Sequence, residues 1–146
     1  MKKALMLSLC AVLASSAFAA TDPVSARQDI FKQFKKDAGA MGKMVKSDAI
    51  NKDEFSKLAA HLDEVAQQPW QHFPAGTASG QTAKKTEAKA EIWSKPAEWT
   101  KATDAFKAET AKLKQVAAAG DTASIKNQFA AVQKTCKACH DAFRKD

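Results

Sequence analysis

Near the end of the chain, Cys136-Lys137-Ala138-Cys139-His140 sets two thiols and an imidazole three and four residues apart. That spacing constrains the fold, because residues three and four apart share one face of a helix. Cys136, Cys139 and His140 can then all address the same flat macrocycle. Cys-x-x-Cys-His is the attachment signature of c-type haem. Each sulfur adds across one vinyl group of the porphyrin, and the histidine reaches the iron as an axial ligand. Competing uses of the motif fit less well. Zinc takes four ligands, usually from two such pairs, and the sequence has no second pair. A thioredoxin-like pair belongs near a strand–helix junction. A disulfide between Cys136 and Cys139 would close a tiny loop and constrain little.

The first residues read as an export signal rather than as fold. Lys2 and Lys3 give a positive start, Ala4 to Ala14 is apolar, and Ala17-Phe18-Ala19 is a small-x-small cleavage site. The expected division is a signal over 1–19, cut after Ala19 or Ala20, and one domain over 20–146. The apolar run is too short to cross a bilayer, and Cys10 leaves with it. Haem is attached to this motif outside the bacterial cytoplasm, so signal and motif together predict a periplasmic protein with no membrane association after cleavage. The chain carries a formal charge of +7, of which Lys2 and Lys3 supply two. Its lysines are scattered along helical faces without an arginine cluster or basic–aromatic interleaving, which argues against nucleic acid.

Four helical patterns follow. Ser25 to Lys46 repeats Ile30, Phe34, Ala38, Met41 and Val45, with Phe31 alongside. Lys52 to Gln67 repeats Phe55, Leu58, Ala59, Leu62, Val65 and Ala66, with Asn51 as cap and Glu54 three residues on. A third helix begins near Pro96, with Ser94 as its cap, and buries Trp99, Ala102, Phe106, Leu113 and Ala117 before Gly120 ends it. The fourth is capped by Asp121 or Thr122. On it Ile125, Phe129, Val132, Cys136, Cys139, His140 and Phe143 share a face directed at the core. The connection from Gln68 to Lys95 is long, with room for a helical turn around Thr86 to Ala90. The expected fold is all-α: an antiparallel four-helix bundle with covalently attached haem c in its core.

These residues resemble cytochrome c′. The resemblance spans essentially the whole mature chain. It rests on Ala26-Arg27-Gln28, on Pro69-Trp70-Gln71-His72-Phe73-Pro74 with Gly76-Thr77, on Glu91-Ile92-Trp93-Ser94, and on Cys136 through Arg144. Ordinary soluble c-type cytochromes carry the motif near the N-terminus, so its position here discriminates. The resemblance implies an iron held by His140 alone, with an apolar side chain four residues after the helix-one arginine closing the other face. Here that residue is Phe31. Low-spin relatives similar to cytochrome c-556 place a methionine ligand there; a thioether can donate to iron and a phenyl ring cannot. Phe31 therefore argues for a five-coordinate, high-spin centre. The family is associated with binding nitric oxide and carbon monoxide, and distal polarity and access decide which gas binds.

Further roles follow from the same resemblance. The matching arginine meets a haem propionate, which assigns Arg27 to a charge-assisted contact, with Gln28 beside it. Thr86 and Glu87 align with residues lining the haem edge. Arg144, one turn past His140, has two readings: a cation at a helix C-terminus, or a guanidinium beside the proximal face. Met41 and Met44 both fall a long way past the ligand position, and Met41 reads as core filler. His61 and His72 read as surface or loop residues, and Trp70, Trp93 and Trp99 as core or haem-packing aromatics. No distal acid–base residue is supplied, so an enzyme is not expected. The alternative function is a low-spin, six-coordinate electron-transfer cytochrome of the c-556 type, and either version needs a periplasmic redox partner. Relatives occur as monomers and as homodimers through helices one and two.

Overall fold

A computed structural model describes residues 22–145. The expected export signal, with Cys10, lies outside the described residues. Five α-helices follow one another: α1 Pro23–Lys46, α2 Lys52–Val65, α3 Glu91–Ser94, α4 Pro96–Ala119 and α5 Thr122–Phe143, with a 3-10 turn at Pro69–His72. The four long ones form the expected bundle. Three of the long helices start on a side-chain cap. Asp22 accepts from Ser25 N at 2.8 Å, Asn51 from Glu54 N at 3.1 Å and Asp121 from Ser124 N at 2.7 Å, satisfying N–H groups that have no partner within the helix. Gly120 ends α4 in the left-handed conformation, φ 76°, where glycine carries no Cβ penalty.

Three expectations need correction. α1 begins at Pro23, ahead of Ser25, because Asp22 and not a later residue supplies the cap. Ser94 does not cap α4; it belongs to α3, and α4 starts behind Lys95 with no side-chain cap. The turn expected around Thr86 to Ala90 is not helical. Its Ala88 forms an isolated antiparallel bridge with Arg144, and the helical turn comes slightly later, as α3.

The core runs the length of the bundle. Met41, Phe55, Ala59, Leu62, Leu113, Ile125, Phe129 and Val132 are buried in one cluster. α1 packs on α2, α2 on α4, and α4 on α5. α5 approaches α1 where Gly42 faces Phe129; a Cβ on Gly42 would lie 3.8 Å from that ring. At the same end Lys126 of α5 pairs with Asp48 in the α1–α2 connection. The helices run antiparallel, so the N-terminal part of α1 and the C-terminal part of α5 share the opposite end. There, aromatic side chains from the long connection and from α4 lie between them.

Candidate functional site

α5 carries its apolar stripe through Ile125, Phe129 and Val132, all buried, and then through half-buried Cys136 and Cys139. Both cysteines are free. Cys136 packs against the main core, whereas Cys139 packs against a second cluster of Ala88, Ile92 and Phe143. The sulfurs therefore stand at the seam between two apolar clusters. Burial pushes both thiols up, Cys139 to about 11 with a smaller contribution from Cys136. They are neutral at ordinary pH, unlike reactive or metal-ligating thiolates. His140, expected on the core face, is exposed by area. Desolvation and the Arg144 guanidinium lower its imidazole pKa, with Asp141 opposing. The neutral ring is the form that ligates iron.

Around the seam stands a wall of rings. Phe31 meets Phe34 edge-on at 5.3 Å, Trp70 at 6.2 Å and Phe73 at 6.3 Å between centroids. Phe73 lies 4.9 Å from Trp99, and Trp99 lies 5.2 Å from Phe143, three residues past His140. A continuous aromatic chain thus links the candidate distal residue on α1 to the motif-bearing helix. Two indoles are held in orientation: Trp70 donates to Ala66 O at 2.7 Å and Trp93 to Phe73 O at 3.0 Å. Phe31, Phe34, Trp70, Phe73, Trp93 and Trp99 are nevertheless all only half-buried. Rings that pack on one another yet stay partly accessible are what a binding site for a flat apolar group requires. Two thiols and an imidazole beside a half-exposed aromatic wall fit a covalently held planar macrocycle. Among the described residues no group of three or more His, Cys, Asp and Glu is placed to hold a bare metal ion.

Arg27 is only 2 % exposed. Its guanidinium lies over the Phe73 ring, 4.4 Å from the centroid. It donates to His72 O at 3.1 Å, to Thr77 Oγ1 at 2.8 Å, to Thr77 O at 2.6 Å and to Thr86 Oγ1 at 3.0 Å. Desolvation lowers its pKa and Asp22 opposes the shift, but a guanidinium stays charged in any case. Burial of a charge costs free energy unless it is hydrogen-bonded throughout, and here the long connection supplies the acceptors. Gln28 donates to Lys85 O at 2.9 Å. Gln28, Lys85, Thr86 and Glu87 line a surface cleft of about 300 Å³. Glu87 accepts from Arg144 Nε at 2.7 Å. The structure thus brings Arg27, Gln28, Thr86, Glu87 and Arg144 together at one edge of the aromatic wall.

Sequence reasoning missed two participants. Thr77 holds Arg27 through both its hydroxyl and its carbonyl; the signal was a threonine beside Gly76 in a connection that had to receive a buried arginine. Asp37, 3 % exposed, accepts from His61 Nδ1 at 2.6 Å. His61 is exposed, as expected of a surface histidine, and through Asp37 it also ties α2 to α1. Met41 is fully buried in the main core and Met44 packs at its margin, so neither lies among the rings around Phe31.

The family model for cytochrome c′ matches residues 22–144. The chain is 35% identical over 126 residues to cytochrome c′ of Halomonas halodenitrificans, covering 84% of this chain and 96% of that protein. The structure is similar to cytochrome c′ from Shewanella frigidimarina, with TM-score 0.79 and 32% identity over 86% of this chain and 95% of that one. It is also similar to a ferrous variant of the Alcaligenes xylosoxidans protein with bound NO, with TM-score 0.77 and 32% identity over 86% and 94% of the two chains. Another variant of that protein has carbon monoxide bound.

Proposed function

The chain belongs to the cytochrome c′ family, and from that premise we propose that it is a periplasmic haem protein that takes up small uncharged diatomic gases, nitric oxide and carbon monoxide, and exchanges electrons with a redox partner. The family's cofactor is one covalently bound haem c, which would supply a redox-active iron able to bind a small ligand. Cys136 and Cys139 would tether it, and neutral His140 would be the protein's one ligand to the metal. Phe31 would stand as the apolar residue facing an incoming ligand. Held edge-on among Phe34, Trp70 and Phe73, it offers neither a donor atom to iron nor a hydrogen bond to a ligand. Water and anions gain little against such a wall, whereas a neutral diatomic needs no polar partner. Arg27 and Lys85 place positive charge beside the edge formed by Gln28, Thr86 and Glu87, which favours the anionic propionates. The nitric oxide and carbon monoxide complexes of the Alcaligenes relative support this reading.

The observation that carries the reading is Phe31 itself: a phenyl ring, fixed by three others, at the position where low-spin relatives place a methionine. The test is an absorption spectrum of the purified, exported protein, ferrous and ferric, with and without nitric oxide. A high-spin spectrum that changes on adding the gas is expected. A colourless product would overturn the assignment. A resting low-spin spectrum, unchanged by nitric oxide, would leave only the electron carrier.

A further inference from the structure

Arg144 leaves α5 in an unusual way for a residue four past a candidate ligand. Its N–H closes the last helical turn on His140 O at 3.0 Å, but its own backbone is extended, φ −119° and ψ 138°. Had the helix continued, the side chain would stand over the His140 face. An extended residue has no such constraint, so something outside the helix must direct the guanidinium. The connection between the 3-10 turn and α3 does so. Ala88 bridges Arg144, Lys89 N donates to Phe143 O at 2.9 Å, and Lys145 N donates to Glu87 O at 2.8 Å. These main-chain bonds fix Glu87 opposite Arg144, and the carboxylate takes the Nε–H at 2.7 Å. The residue before it, Thr86, is held by the buried Arg27. Two successive residues of one connection therefore receive an arginine from the first helix and an arginine from the end of the last.

We propose that Glu87 is the positioning residue for Arg144, fixing its guanidinium relative to His140 and thereby tuning the ferric–ferrous balance of the iron. The inference rests on the reading of His140 as the iron's ligand. An exposed ion pair on its own contributes little to stability, and Glu87 and Arg144 are both about half exposed. The consequence of the pair is therefore orientation. Arg144 lies one turn after His140, with its N–H on His140 O, so a guanidinium held at that end of α5 would disfavour ferric charge on an iron bound by His140. Released from Glu87, it relaxes into water and that effect fades. The bare loss of a carboxylate would act in the opposite sense, because removing a negative charge disfavours the ferric state further.

The opposed signs make the test decisive. Reduction potentials of the haem-loaded wild type, Glu87→Gln, Arg144→Gln and the double variant are measured, with unfolding midpoints to establish that each is folded. The expected result is that Glu87→Gln lowers the ferrous preference at least threefold, ~28 mV at 59 mV per decade for one electron. In the Arg144→Gln background the same change should produce less than a third of that shift. A rise in potential, or equal shifts in both backgrounds, overturns the proposal. Exchange of the Arg144 Nε–H by NMR supplies a readout independent of the iron; it should be at least fivefold faster in Glu87→Ala, and an unchanged rate also overturns the proposal. A pigmented protein with additive potentials sinks only this inference, whereas a colourless one sinks the haem reading with it.

Discussion

Single side chains decide whether the site exists and how it behaves. Arg27 is buried with four acceptors drawn from the connection. Arg27→Ala strands them, and urea unfolding should show a loss of about 3 kcal/mol, the order expected for breaking a buried charged network. Arg27→Lys should recover only part of that, because an ammonium cannot reproduce the planar fork. On the proposed reading, Phe31 bears on ligation rather than on stability. Phe31→Met sets a thioether among the same rings, and the ferric spectrum should turn low-spin while nitric oxide uptake is lost. A spectrum unchanged from wild type would show that the position does not face the iron. Both residues could be picked out from Ala26-Arg27-Gln28 and the spacing that follows. The acceptors of Arg27 could not, since Thr77 and Thr86 lie fifty and fifty-nine residues away and no local rule pairs residues at such separations.

At the level of elements, the caps and stripes were legible because they depend on neighbours within one or two turns. Asn51 and Asp121 cap as their position before apolar repeats indicates. The misplaced start of α4 shows the limit of that approach. Ser94 has cap chemistry, but α3 takes it into a helix of its own, and Lys95 precedes Pro96 uncapped. Gly39 lies mid-helix with nothing within 4 Å of where a Cβ would go. Gly39→Ala should therefore raise stability by about 0.5–1 kcal/mol in thermal or urea unfolding. The caps also give α5 a pH dependence. Hydrogen bonds from Ser124 hold the Asp121 carboxyl below its usual 3.8. A carboxyl depressed in the folded state stabilises above its unfolded pKa, and the contribution is lost as pH falls through the folded value. Melting temperature should drop as pH falls below about 3.8, and Asp121→Asn should flatten that acid limb while leaving the neutral-pH value nearly unchanged.

Over the whole molecule, the bundle is joined between α1 and α5 at the Gly42–Phe129 end, and aromatic rings stand between the two helices at the other. That arrangement predicts a difference between chains with and without tethered haem. A Cys136→Ser, Cys139→Ser protein should bind a hydrophobic fluorescent dye more strongly than the pigmented wild type and melt at a lower temperature, because a ligand held by the folded state stabilises it. Equal dye binding would mean that the ring wall is not where the macrocycle lies.

Helical repeats, caps such as Asn51 and Asp121, and the Cys136-to-His140 spacing are local properties, so the amino-acid order alone determined four long helices, an all-α bundle and the chemistry of attachment. Tertiary structure alone decided what lies across those helices. It set Arg27 into the long connection, His61 onto buried Asp37, and Ala88 and Glu87 against Arg144, and it gathered rings from α1, the 3-10 turn, α3 and α4 beside the thiols. The physical reason is range. Backbone hydrogen bonds and apolar periodicity act within a few residues, whereas a buried charge or an exposed ring finds its partner only after the chain has closed on itself.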